Sequence, residues 1–109
     1  MIIAVDFDGT IVEHEFPDIG PLKKGAAEAL RAFKKAGHRI AIWTCRTGEE
    51  EGQLRTFLLE KNIPFDTINA PIPGFDIGTR KIYADVYIDD RSIRFEENWE
   101  ELREILTGK

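Results

Sequence analysis

The chain has 109 residues, enough for one hydrophobic core and too few for two ordinary domains, so a single domain over 1–109 is expected. Its net charge of -5 argues against a nucleic-acid-binding surface, and Lys23-Lys24, Lys34-Lys35 and Arg80-Lys81 are short pairs, not a basic stripe. The single cysteine, Cys45, excludes an internal disulfide framework. The first apolar run is too short for a signal peptide or membrane span, so a cytoplasmic location is expected.

Ile2 to Phe7 reads as a strand buried on both faces, because its apolar residues do not alternate with polar ones. It runs into VDFDGT, Val5 to Thr10. Residues 10 to 20, TIVEHEFPDIG, form a short flap or hairpin-like excursion. Pro21 suits the first turn of a helix, in which Leu22, Ala26, Ala29, Leu30 and Phe33 recur at helical spacing until Gly37. Arg39 to Thr44 is a second strand. Glu49, Glu50 and Glu51 open a second helix, where acids suit the positive end of the dipole. Leu54, Phe57 and Leu58 make its inner face, and Asn62 and Pro64 end it. Phe65 to Asn69 is a short third strand, and residues 70 to 80 form a loop rich in Pro and Gly. Val86 to Asp89 is the fourth strand. Phe95, Trp99, Leu102, Ile105 and Leu106 give a last helix its apolar stripe.

Strands alternating with helices imply right-handed crossovers and a mainly parallel sheet, whose ligands bind beyond the carboxyl ends of its strands. The reactive side chains gather at those ends. Asp6 and Asp8 follow the first strand, and side chains two apart on a strand share a face. Two like charges held together cost free energy unless a cation sits between them. Asp89 and Asp90 follow the fourth strand in YIDDR. Hard oxygen donors without a His or Cys cluster favour Mg²⁺ over Zn²⁺. Asp89 is the better direct ligand, with Asp90 acting through water or by holding Lys81. Of the first pair, one carboxylate suits an ionised nucleophile and metal ligand, and the other a general acid. Thr44, in IWTCR, offers a hydroxyl to an anion near a helix start. Lys81 is the candidate cation for balancing phosphate, with Arg80 and Arg46 as substitutes.

D-x-D-G-T, a Thr after the second strand, a Lys, and D-D after a later strand resemble, in the same order, the four motifs of the haloacid dehalogenase superfamily of phosphohydrolases. The resemblance spans Asp6 to Asp90. It implies a three-layer, Rossmann-like α/β fold with strand order 3-2-1-4. It also implies phosphorylation of Asp6, acid-base work by Asp8, phosphate binding by Thr44 and Lys81, to which the residues themselves add Arg46, and a Mg²⁺ site of Asp6, Asp8, Asp89 and Asp90. Only about thirty-three residues separate Thr10 from Thr44, which leaves no room for a cap domain. The expected activity is Mg²⁺-dependent hydrolysis of a small phosphomonoester, a sugar phosphate or a nucleotide. A polynucleotide 3'-end phosphatase and a phospho-accepting receiver domain are the alternatives. A capless site borrows walls from a neighbour, so a homo-oligomer is expected.

The other tempting residues have simpler readings. A cysteine phosphatase needs an Arg six positions after its nucleophile, and Glu51 stands there relative to Cys45, so Cys45 is expected to be a small core residue beside the site. Trp43 and Trp99 are expected in the core and His14 on the surface. Phe16 and Phe75 are the expected apolar rim of the site.

Overall fold

The β-branched residues Ile2, Ile3, Val5, Ile40, Ile42, Ile68, Val86 and Ile88 fall in the strands of one parallel sheet, where stiff branched side chains pack well. The computed structural model describes residues 1–78, 80–91 and 97–108. In chain order the elements are β1 (Ile2–Asp6), α1 (Ala26–Lys35), β2 (Arg39–Trp43), α2 (Gly48–Glu60), β3 (Thr67–Ile68), β4 (Val86–Ile88) and α3 (Trp99–Thr107). The sheet order is β3-β2-β1-β4, all parallel, as expected. β1 and β2 run in register from Ile2 beside Arg39 to Asp6 beside Trp43.

Two aspartates fix the starts of the central strands. Ile2 donates its N–H to Asp85 Oδ2 at 2.6 Å, and Ile40 donates to Asp66 Oδ2 at 2.7 Å. Lys34 Nζ holds the other Asp66 oxygen at 2.5 Å, joining the end of α1 to the entry of β3. These anchors set the opposite, carboxyl ends of the strands against one another.

The two faces of the sheet differ. Ile3, Val5, Ile40, Ile42, Ile68 and Ile88 meet residues of all three helices, including Leu30 and Phe33 of α1, Leu54 and Leu58 of α2 and Trp99 of α3, in the main core. Full burial of a side chain such as Leu or Phe contributes about 1.5–3 kcal/mol. The opposite parity, Ile2 and Ala41, packs instead on Ile72 and Ile82 from the segment between β3 and β4. That segment, not a helix, covers the second face.

One expected helix start and one expected apolar face change. Pro21 does not open α1: its carbonyl accepts from Glu13 N–H at 2.8 Å, and Lys23 N–H donates to Ile11 O at 2.9 Å. The flap is thus a small antiparallel hairpin whose return arm delays the helix until Ala26. In α3, Trp99 is buried and Leu102 and Leu106 are half-buried against the main core, but Ile105 is exposed and takes no part in it. Phe95 lies outside the described residues. Among the described residues, no helix is long and apolar enough to cross a membrane.

Candidate active site

β1 delivers Asp6 to the carboxyl edge of the sheet, and the chain then turns sharply. Phe7 O accepts hydrogen bonds from Thr10 N–H and Ile11 N–H at 3.1 and 2.9 Å. Gly9 makes this turn possible at φ +85°. A Cβ there would lie 2.3 Å from Asp90 Oδ2, so the missing side chain also lets the carboxylate after β4 approach. Thr10, fully buried, stitches the two segments together. Its hydroxyl donates to Asp6 Oδ2 at 3.0 Å and accepts from Asp90 N–H at 2.8 Å. Its carbonyl accepts from the buried Trp99 indole N–H at 2.9 Å.

Asp6, Asp89 and Asp90 meet as a result, with one oxygen from each lying within 4.8 Å of the others. The Asp89 side chain is oriented by Arg91 N–H, which donates to its Oδ1 at 2.9 Å. Burial, then the nearby charge of Asp89, then a hydrogen bond to Asp90 push the Asp6 carboxyl up from 3.8 to about 7; the Thr10 hydroxyl opposes this. The three carboxylates are close enough to share a hard cation, and relief of their repulsion would favour its capture.

Asp8 does not join them. Arg46 Nε donates to its Oδ2 and Nη2 to its Oδ1, both at 2.8 Å. The Arg46 side chain is fully buried, over the rings of Phe7 and Phe16 at 5.5 and 5.1 Å. Its remaining donors reach Pro17 O at 3.0 Å and Asp18 O at 2.7 Å, clamping the flap. The expected four-carboxylate metal set therefore becomes three side chains, because Asp8 faces an internal cation. The expected phosphate-binding role of Arg46 also changes: its donors are engaged by Asp8 and the flap.

A cavity of about 470 Å³ opens over these groups, lined by Asp6, Asp8, His14, Phe16, Trp43, Thr44, Cys45, Asp89, Asp90 and Arg91. Thr44 is in place as expected. Its hydroxyl accepts from Arg46 N–H at 3.1 Å, leaving its own proton able to point into the cavity. Its backbone is gripped by Asn69, whose Oδ1 accepts from Thr44 N–H and whose Nδ2 donates to Thr44 O, both at 2.8 Å. Lys81 is not among the lining residues. Its Nζ sits 4.8 Å from the centre of the Tyr87 ring, and it lines a separate cavity with Arg80 and Phe75. Phe75 stacks there on Tyr83 instead of rimming the acidic site. Among the described residues, Arg91 is the Lys or Arg side chain that lines the acidic cavity.

Two further expectations are corrected. Trp43 is 41% exposed, and Cys45 is also exposed; both line the cavity. The strand ends at the mouth of the site, so its last residues escape the core. Phe16 belongs to the rim as expected, and His14, an exposed residue as expected, also lines the cavity. The sequence reading gave no role to Thr10, Asn69 or Arg91. For Thr10 and Arg91 the available signal was adjacency to the paired aspartates.

No protein-family model and no curated protein sequence matches the chain. A solved structure of a conserved protein from Bacteroides thetaiotaomicron is similar to it over 99% of this chain and 90% of its own, with a TM-score of 0.90 and 36% sequence identity. Agreement of that extent in both sequence and fold marks common descent: the chain belongs to the same family as this Bacteroides thetaiotaomicron protein.

Proposed function

We propose that the protein is a Mg²⁺-dependent phosphatase of the haloacid dehalogenase type that hydrolyses a small phosphomonoester through an aspartyl-phosphate intermediate. The observation that carries this reading is the meeting of Asp6, Asp89 and Asp90 beneath a cavity at the carboxyl edge of the sheet. Three hard oxygen donors suit Mg²⁺, and the approach of Asp90 over the bare Cα of Gly9 fits a site built to gather charge. Bound there, Mg²⁺ supplies neutralisation of the negative charge that otherwise keeps a phosphate dianion from the carboxylates.

The chain's own groups divide the remaining work. An Asp6 oxygen bonds to phosphorus as the bond from phosphorus to the ester oxygen breaks, and Asp8 gives its proton to that leaving oxygen. Water then attacks phosphorus, Asp8 takes the water proton, and the bond between phosphorus and Asp6 breaks. Inorganic phosphate leaves and both aspartates are restored. Arg46 holds Asp8 by one lone-pair direction on each oxygen, so a second direction on each stays open for a proton. The Thr44 hydroxyl and the Arg91 guanidinium are the groups we assign to the phosphoryl oxygens.

The test is phosphate release from sugar phosphates, nucleotides and 3'-phosphorylated oligonucleotides, with and without Mg²⁺. Wild type should turn over only with the metal. Asp6→Asn should lower turnover by on the order of 10³-fold or more while its circular dichroism matches wild type. Turnover by Asp6→Asn at the wild-type rate would remove Asp6 as nucleophile. A long-lived phosphoprotein after acetyl phosphate treatment, without phosphate release from esters, would instead favour the receiver alternative.

A further inference from the structure

The two tryptophans lie in opposite settings. Trp99 is 1% exposed, packs beside Phe33 and donates its indole N–H to Thr10 O. Trp43 is 41% exposed, and its N–H has no hydrogen-bond partner among the described residues. Trp43 ends β2 beside Asp6 in the register and shares its parity, so both project to the same side of the sheet. A large aromatic ring left open next to three carboxylates adds nothing to the core and does not help hold a metal or a phosphate.

The flap supplies a second ring. Phe16 is 48% exposed and lines the same cavity, yet its position is fixed. The Arg46 guanidinium lies over the ring and hydrogen-bonds the carbonyls of the next two residues, Pro17 and Asp18. Lys23 further ties the flap down by ion pairs with Glu97 and, at 3.8 Å, with Glu13. Two ring surfaces, one of them held by the flap clamp, therefore line one polar cavity, with His14 also lining it. The cavity volume of about 470 Å³ falls within the range of roughly 300–1,000 Å³ typical of small-ligand sites.

From this geometry we infer that the leaving group is a nucleoside, and that the site takes a nucleoside monophosphate whose base stacks on Trp43 and Phe16. This rests on the phosphatase reading for the position of the phosphate, not for recognition of the base. A sugar phosphate would leave both rings in water, whereas any nucleobase has a planar face for them. The exposed acids of the flap, Glu13, Glu15 and Asp18, disfavour a longer phosphodiester chain.

The experiment separates recognition from turnover by using Asp6→Asn with Mg²⁺. Calorimetric titration with adenosine 5'-monophosphate and with ribose 5-phosphate should give at least about tenfold tighter binding of the nucleotide. In Asp6→Asn/Trp43→Ala that preference should fall below about threefold, and Asp6→Asn/Trp43→Phe should retain most of it. Thermal melts establish that each variant is folded, and Asp6→Asn/Phe16→Ala provides an independent second variant. Equal affinity for the two ligands, no binding of either, equal loss of both on Trp43→Ala, or tighter binding of phosphotyrosine than of the nucleotide would each overturn the inference. If wild type releases no phosphate from any ester yet the nucleotide still binds through Trp43, the hydrolase reading fails and this inference stands. If ribose 5-phosphate is hydrolysed as efficiently as the nucleotide, the hydrolase reading stands and this one fails.

Discussion

Asp6 faces Asp89 and Asp90 at the edge of the sheet, while Asp8, two residues further on, faces the buried guanidinium of Arg46. Between them the chain leaves β1 at Phe7, which opens the turn that Gly9 completes, and this turn separates two electrostatic solutions. Around Asp8 the compensating charge is covalently part of the protein and cannot leave. Around Asp6 like charges are concentrated, and burial together with the charge of Asp89 raises the Asp6 carboxyl to about 7. The first arrangement organises the flap and fixes a carboxylate. The second stores repulsion that a divalent ion would relieve. The contrast shows how one short motif can build a rigid half and a half that answers to its ligand.

The largest test of this contrast is Arg46→Met. It leaves Asp8 without its buried partner and frees the Pro17 and Asp18 carbonyls, so a loss of roughly 3–5 kcal/mol in urea unfolding is expected. Arg46→Lys should recover little of it, because an ammonium group cannot reproduce the bidentate contact. Full recovery by Lys would mean that charge alone, not the forked geometry, holds this half together. On the other side, Gly9→Ala forces a Cβ into Asp90 Oδ2 at a left-handed φ. A loss of about 1–3 kcal/mol is expected, together with weaker Mg²⁺ binding by calorimetry. Unchanged Mg²⁺ affinity would show that Asp90 need not approach the turn.

The next effect is pH dependence without metal. Asp6 ionises near 3.8 when unfolded and near 7 when folded, so between these values the unfolded chain binds fewer protons. Stability must therefore fall as pH rises from about 4 to about 7, and level off above. Asp6 is only partly buried, so solvent screening reduces the expected loss to about 1–2 kcal/mol. Denaturant titrations across this range should reveal the decline in wild type and a smaller one in Asp6→Asn. Saturating Mg²⁺ should remove it. A metal-free protein that gained stability over the same window would contradict stored repulsion around Asp6.

The periodicity of Leu30, Phe33, Leu54 and Leu58 was enough to find two helices, and the apolar runs around Val5 and Ile42 enough to find the central strands, because these residues are buried in the way their pattern implies. The sheet order came from the resemblance carried by the motifs. Asp6, Asp89 and Asp90 were legible because several acids at strand ends have few packing explanations. The Asp8–Arg46 pair was not legible. It joins residues thirty-eight apart through the exact seat of a flexible side chain, and no local pattern encodes that. Trp43 misled for a related reason: an apolar residue in a strand looks like core until the strand is known to end at a cavity. Lys81 was placed by sequence proximity to Asp89, but the 70–85 segment crosses the second face and carries Lys81 to another cavity.

The finest test concerns Thr10, whose hydroxyl serves both sides of the Asp6 half. Thr10→Val keeps the shape but removes the donor to Asp6 Oδ2 and the acceptor for Asp90 N–H. The lost donor had favoured the ionised form of Asp6, so the Asp6 carboxyl should titrate higher still when followed by carbon-detected NMR in metal-free protein. The orphaned Asp90 N–H should cost about 1–2 kcal/mol of stability. Because the Asp8–Arg46 pair shares no hydrogen bond with Thr10, the Asp8 carboxyl resonance should be displaced far less than that of Asp6. Equal displacement of both would mean that the turn at Gly9 couples the two halves instead of separating them.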